Sequence, residues 1–139
     1  MEGKILKSID DNKECPPDVH EVFEEIKARF GLDFVPNFFL PLANSPTGLQ
    51  GMWSIFKNTL FNGLVSRSDK ELIFLTIALK LNCKYCSSLH LAVAHKLKIE
   101  GLEEVLTGIK NIKNKKIRLI LQKSLIVAEE PKSLSSDDY

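Results

Sequence analysis

Apolar residues in this chain recur at steps of three and four along nearly its whole length, and nowhere do they alternate as a half-buried strand requires. Three- and four-residue steps place side chains on one face of an α-helix, so the pattern confines the chain to an all-α fold. Residues 16–130 carry it without a repeat or a linker, which predicts one helical domain. An extension over 1–15 precedes it, and a Ser- and Asp-containing end over 131–139 is expected to be mobile.

The helices can be read one by one. Pro16-Pro17 opens a segment in which Val19, Val22, Phe23, Ile26 and Phe30 form a stripe, and Gly31 supplies a C-terminal stop. Two prolines bracket the aromatic cluster Val35 to Pro41, which predicts a turn and a short helix. Ser45 caps the next helix with Pro46 at its first position. There Leu49, Met52, Trp53, Phe56 and Leu60 share a face, and Gly63 is expected to close it. Core packing accounts for these aromatics, although Trp53 and Phe61 are also candidates for subunit contacts. Ser68-Asp69-Lys70-Glu71 opens a helix to about Leu81, Asn82-Cys83 turns the chain, and another helix runs to about Leu97. A short helix over Leu102 to Ile109 and a final one from about Lys113 to Ala128 complete the order, with Pro131 as the stop.

Composition excludes several function classes. The formal net charge is +1, so no strong field points to nucleic acid or to an anionic membrane. The basic run Lys110, Lys113, Lys115, Lys116 and Arg118 has no interleaved aromatics and reads as a solvated helix face. The apolar run Leu72 to Leu79 contains Thr76, ends at Lys80 and is too short to span a bilayer. The first twelve residues lack the apolar core of a signal peptide, and a cytoplasmic location is expected. In that reducing compartment a Cys-x-x-Cys is more often catalytic or metal-binding than a staple.

The chemistry concentrates between Glu71 and His90. Cys83 and Cys86 are three apart, so on a helix their sulfurs can meet as a disulfide with little backbone change. A helix N-terminus favours thiolate over thiol. His90 lies one turn beyond Cys86. In an antiparallel hairpin rising ~1.5 Å per residue, Glu71 and His90 reach similar heights. A carboxylate, an imidazole and a thiol in that order make an oriented base beside a nucleophile. Glu71 also fits a second role, as the last residue of a Ser68-x-x-Glu71 capping box. Phe74, Ile77 and Leu81 on one arm, with Leu89 and Val93 on the other, are expected to wall the site. Tyr85 lies between the cysteines, His95 falls off the site's face, and Cys15 has no local partner. Zinc is the rival chemistry, with Cys83, Cys86 and His90 as donors and Glu71 or Cys15 as a fourth. A second Cys or His pair at short spacing is missing, and one helix stripe closes a tetrahedron poorly. A redox dithiol is therefore the preferred reading over zinc.

Glu71-x11-Cys83-x-x-Cys86-x-x-x-His90 resembles the AhpD-like alkylhydroperoxidase group of the carboxymuconolactone decarboxylase superfamily. Val35-Pro36-Asn37-Phe38-Phe39, Leu42-Ala43-Asn44-Ser45-Pro46 and Ser68-Asp69-Lys70-Glu71-Leu72 are similar to the same family, over about Phe34 to Gly108. The resemblance implies an all-α AhpD-like domain with a CxxC-bearing hairpin, assembling as a trimer or hexamer. It implies a peroxidase that works without metal or cofactor and takes a peroxide substrate and a dithiol protein or small thiol as reductant. By that resemblance Cys86 attacks the peroxide, Cys83 resolves the sulfenic acid, and His90 and Glu71 relay protons. Where the best-known members carry histidine before the second cysteine, this chain has Tyr85, as do relatives described only as peroxidase-related. The alternative is a redox-sensing or disulfide-exchange scaffold without multiple turnover.

Overall fold

The computed structural model describes residues 15–136, which are all-α: no strand occurs among them. Most of the expected 1–15 extension and the last three residues of the expected 131–139 tail lie outside that range. Two compact units divide the chain after Asn62.

The first unit holds α1 (Pro17–Phe30), a 3-10 turn (Pro41–Asn44) and α2 (Pro46–Leu60). α1 ends as its sequence predicts. Gly31 sits in the left-handed region at φ 62°, and the N–H groups of Gly31 and Leu32 return to the carbonyls of Ala28 and Lys27. A Cβ is disfavoured in that conformation, which is why glycine serves there. Ser45 caps α2 by accepting a hydrogen bond from the Gly48 N–H at 3.3 Å. The stripe of α1 meets α2 over a core of Val19, Phe23, Ile26, Phe39, Leu49 and Trp53. Trp53 is buried, so it is a core residue and not a free contact surface. Its indole N–H donates to Glu25 at 2.7 Å, satisfying the one polar group that its burial would otherwise orphan. α2 stops at Leu60 and not at Gly63, which lies in the loop beyond.

The second unit holds α3 (Arg67–Lys80), α4 (Lys84–Lys96), α5 (Leu102–Thr107) and α6 (Lys115–Glu129), with 3-10 turns at Ile109–Asn111 and Pro131–Ser133. α3 packs along α4 and α6. Leu72, Leu75, Ala94, Leu102, Val105 and Leu121 form the core. α6 begins two residues later than its periodicity implies, because Asn114 caps it by accepting from the N–H groups of Lys116 and Ile117.

The hairpin between α3 and α4 carries the site, and its turn is tightly specified. Asn82 takes the left-handed conformation at φ 53°, the Asn82 N–H reaches the Leu79 carbonyl, and the Cys83 N–H reaches the Ala78 carbonyl. This is the Schellman stop, with asparagine in place of glycine. Cys83 follows at once as the N-cap of α4, so a single residue ends one helix bond pattern and begins the next. The turn therefore fixes Cys83 and Cys86 against the end of α3. Lys98 repeats the same stop at the end of α4, at φ 52°.

Candidate active site

α4 presents the cysteines as their spacing predicts. Cys83 and Cys86 have Cα atoms 5.4 Å apart and their Sγ atoms are joined as a disulfide. The Cys86 backbone N–H also points at the Cys83 sulfur, 3.3 Å away. That N–H belongs to the first turn of α4, where no carbonyl is available to accept it. A sulfur in this position carries negative charge more easily when the bond is reduced, because the N–H dipoles of the helix end face it. Both cysteines are partly exposed.

Glu71 and His90 come together across the hairpin. Glu71 Oε2 lies 2.7 Å from His90 Nδ1. Glu71 is completely buried and the His90 side chain is 19% exposed. The contact occupies Nδ1 and leaves Nε2 as the ring nitrogen open to a further partner. His90 is one turn beyond Cys86 on α4, so Cys86 and His90 share a face of that helix, with Glu71 of α3 opposite His90.

The capping-box role of Glu71 is corrected by the structure. Ser66, not Ser68, caps α3: its Oγ accepts from the Asp69 N–H at 3.1 Å. Starting the helix one residue earlier than Ser68 puts Glu71 in the second turn, beyond reach of the cap. Its carboxylate is turned toward α4 instead.

Arg67 is the site residue that sequence reading missed. Its Nη2 stands 2.5 Å from Glu71 Oε1, at i,i+4 on α3. Burial holds the Arg67 guanidinium below its ordinary range, and the Glu71 charge opposes that effect. Glu71 Oε1 has no hydrogen bond of good geometry, so the attraction to Arg67 is mainly one of charge. An Arg four residues before a Glu was visible in the sequence, but such pairs are common on exposed helix faces. Only the burial of Glu71 gives this one weight.

Phe74, expected in an apolar wall, lies face to face with the His90 ring at 5.1 Å between centroids and 15° between planes. Of the expected wall, Phe74 and Leu81 are exposed, Leu81 at 58%, while Ile77, Leu89 and Val93 are half-buried; Tyr85 between the cysteines is exposed. His95 is also exposed, and Cys15 packs against the first unit's core. No group of three His, Cys, Asp or Glu side chains that could hold a metal ion occurs among the described residues. No helix among them is long and apolar enough to cross a membrane.

Known proteins share this architecture. No family model matches the chain, and no curated protein sequence matches it. Solved structures do. An uncharacterized peroxidase-related protein from Silicibacter sp. TM1040 superposes with a TM-score of 0.78 at 17% identity, over 99% of this chain and 74% of its own. An alkylhydroperoxidase AhpD core from Ralstonia eutropha JMP134, also an uncharacterized peroxidase-related protein, gives 0.76 at 19%, over 98% and 74%. The AhpD core from Rhodospirillum rubrum is 29% identical, with a TM-score of 0.58 over 88% of this chain and 85% of its own.

Proposed function

We propose that this chain is a member of the AhpD-like superfamily and an oxidoreductase of the alkylhydroperoxidase type that reduces peroxides through Cys83 and Cys86. The observation that carries the reading is the Glu71–His90 contact, made across the hairpin one helical turn beyond Cys86 of the joined pair. The peroxidase-related neighbours support the general class of activity.

In the proposed cycle the reduced Cys86 is the attacking thiol. His90 Nε2 takes its proton, while Glu71 holds the ring through Nδ1 and stabilises the imidazolium. The Cys86 thiolate attacks the distal oxygen of the hydroperoxide. The S–O bond forms, the O–O bond breaks, and the alcohol leaves with the proton that His90 returns. Sulfur is oxidised to sulfenic acid by two electrons and the peroxide is reduced by two. Cys83 then attacks the sulfenyl sulfur, closing the disulfide and expelling water. The Cys83 thiolate is the form stabilised by the Cys86 N–H. An external dithiol protein or small thiol returns both electrons by disulfide exchange. A dithiol that must be re-reduced at every turnover suits a reducing compartment such as the cytoplasm. Homo-oligomerisation, as a trimer or hexamer, belongs to the same reading; the exposed Phe74, Leu81, Leu119 and Val127 provide apolar contact surface.

Tyr85 favours a second reading. It is exposed and stands where a further relay histidine is absent, which suits a dithiol that senses oxidation or exchanges disulfides without rapid turnover. Consumption of cumene hydroperoxide with excess dithiothreitol separates the two. Many turnovers per protein, lost in Cys86→Ser, support the peroxidase. A single stoichiometric oxidation with no further consumption supports the sensor.

A further inference from the structure

We propose that Arg67 is a positioning residue for this site: it balances the charge of the buried Glu71 so that His90 can release and retake a proton. The inference rests on the peroxidase reading and adds to it a residue outside the Glu-Cys-Cys-His motif.

Glu71 is buried within the second unit, with Leu72 and Leu75 buried on the same helix and Ala94 buried on α4. A carboxylate in such a place keeps its charge only if it is paired. Each of its oxygens has its own cationic or potentially cationic neighbour: Oε1 has Arg67 and Oε2 has His90. The two neighbours differ in kind. Arg67 is charged at every working pH, whereas His90 can be neutral or charged. With Arg67 present, the cluster is neutral when the imidazole is neutral. Without Arg67, the cluster is neutral only when Glu71 and His90 together hold an extra proton. An imidazole that cannot shed that proton cannot accept one from Cys86.

Glu71 is ion-paired to Arg67 within its own helix and to His90 across the hairpin. Asp69 and Lys70 lie in the first turn of α3, between Arg67 and Glu71 in sequence. Lys80, at the far end of α3, pairs with Glu129 of α6 at 3.3 Å. Arg118 of α6 donates to the Ile112 carbonyl at 2.9 Å. Glu103 and Glu104 stand in the first turn of α5, and Lys84 and Lys96 at the two ends of α4. Because the Arg67–Glu71 attraction lacks a directed hydrogen bond at Oε1, its effect comes from charge more than from the fork shape of the guanidinium. Lysine should therefore replace it and methionine should not.

The experiment compares wild type, Arg67→Met and Arg67→Lys as full chains. Reduced protein is mixed with cumene hydroperoxide, and thiol loss is followed by acid quench across the neutral pH range. Losing a unit charge one helical turn away moves the half-maximal pH of thiol oxidation in Arg67→Met upward by about one unit or more. Arg67→Lys restores most of that displacement. A uniform loss of rate at every pH, with Arg67→Lys no better than Arg67→Met, overturns the proposal and leaves Arg67 a structural residue. A nitrogen NMR spectrum of His90 in the disulfide form needs no turnover and no variant. Expected is a neutral ring whose proton is on Nδ1, facing an ionised Glu71; a proton on Nε2 overturns the proposal even if Arg67→Met fails to fold. In the folded Arg67→Met disulfide, a larger share of doubly protonated ring is expected at neutral pH, and an unchanged share contradicts the proposal. Should no variant react with hydroperoxide at any pH, the peroxidase reading fails, while the His90 spectra still decide the role of Arg67.

Discussion

Replacing Glu71 by glutamine removes one charge and almost no volume, which makes it a sharp probe of the electrostatics in the second unit. In the native chain Glu71 is fully buried between Arg67 and His90. Glutamine leaves Arg67 without its counter-ion and offers its amide where a charged acceptor stood. Removing one partner from a fully buried ion pair costs about 3–5 kcal/mol. The Arg67 side chain is 24% exposed, so water recovers part of that loss, and we expect a destabilisation of about 2–3 kcal/mol. The assay is urea unfolding of the disulfide form followed by far-ultraviolet circular dichroism. A double-mutant cycle with Arg67→Met isolates the pair, and its coupling should be about 1–2 kcal/mol. Coupling indistinguishable from zero, with Glu71→Gln as stable as wild type, would refute the view of Glu71 as a buried charge held by Arg67.

Other consequences are local. Cys86→Ser should abolish trapping of a sulfenic acid after peroxide addition while Cys83→Ser preserves it; the reverse pattern makes Cys83 the attacking sulfur. Leu75→Ala removes a fully buried side chain from the second unit's core, and a loss of about 2–5 kcal/mol in the same urea assay is expected. Lys98→Gly relieves a left-handed residue at the end of α4 and should stabilise the chain by up to about 1 kcal/mol, since glycine adopts that conformation freely. Hydrogen bonds from Trp53 and Lys57 hold the Glu25 carboxyl below its ordinary value of 4.5. A depressed carboxyl stabilises the fold above its unfolded value and loses that contribution as pH falls through the folded one. The stability gap between wild type and Glu25→Gln should therefore be full near neutrality and shrink in acid below about pH 4.5. A gap that stays constant with pH contradicts that assignment.

Much of this arrangement was written locally in the chain. The stripe of α1, the Gly31 stop, the Ser45 cap and the place of Cys83 at the mouth of α4 each depend on residues within one or two turns. The Glu71–His90 contact was legible for a different reason: a two-residue turn fixes the register of a hairpin, and helical rise then matches their heights. The cap of α3 was not legible, because Ser66 and Ser68 both precede an acidic residue by three positions. Burial of Glu71, Leu72 and Leu75 settles which serine begins the helix, and burial is a tertiary property. Lys98 in a left-handed turn has no signal in its own side chain. The role of Arg67 was hidden in the same way, since spacing shows that two charges can meet but not that one of them is out of water. Periodicity placed Phe74 on the hairpin's site face, yet it could not show that the ring remains exposed while stacking on His90.

The central claim is that Cys83 and Cys86 form one redox couple driven by peroxide. It is tested most directly by intact mass, on fully reduced protein before and after one equivalent of hydrogen peroxide, in wild type and in Cys86→Ser. The account predicts that wild type loses two hydrogens and that Cys86→Ser, with no internal partner for Cys83, does not. Wild type that keeps its full mass, with both thiols still titratable, would contradict it.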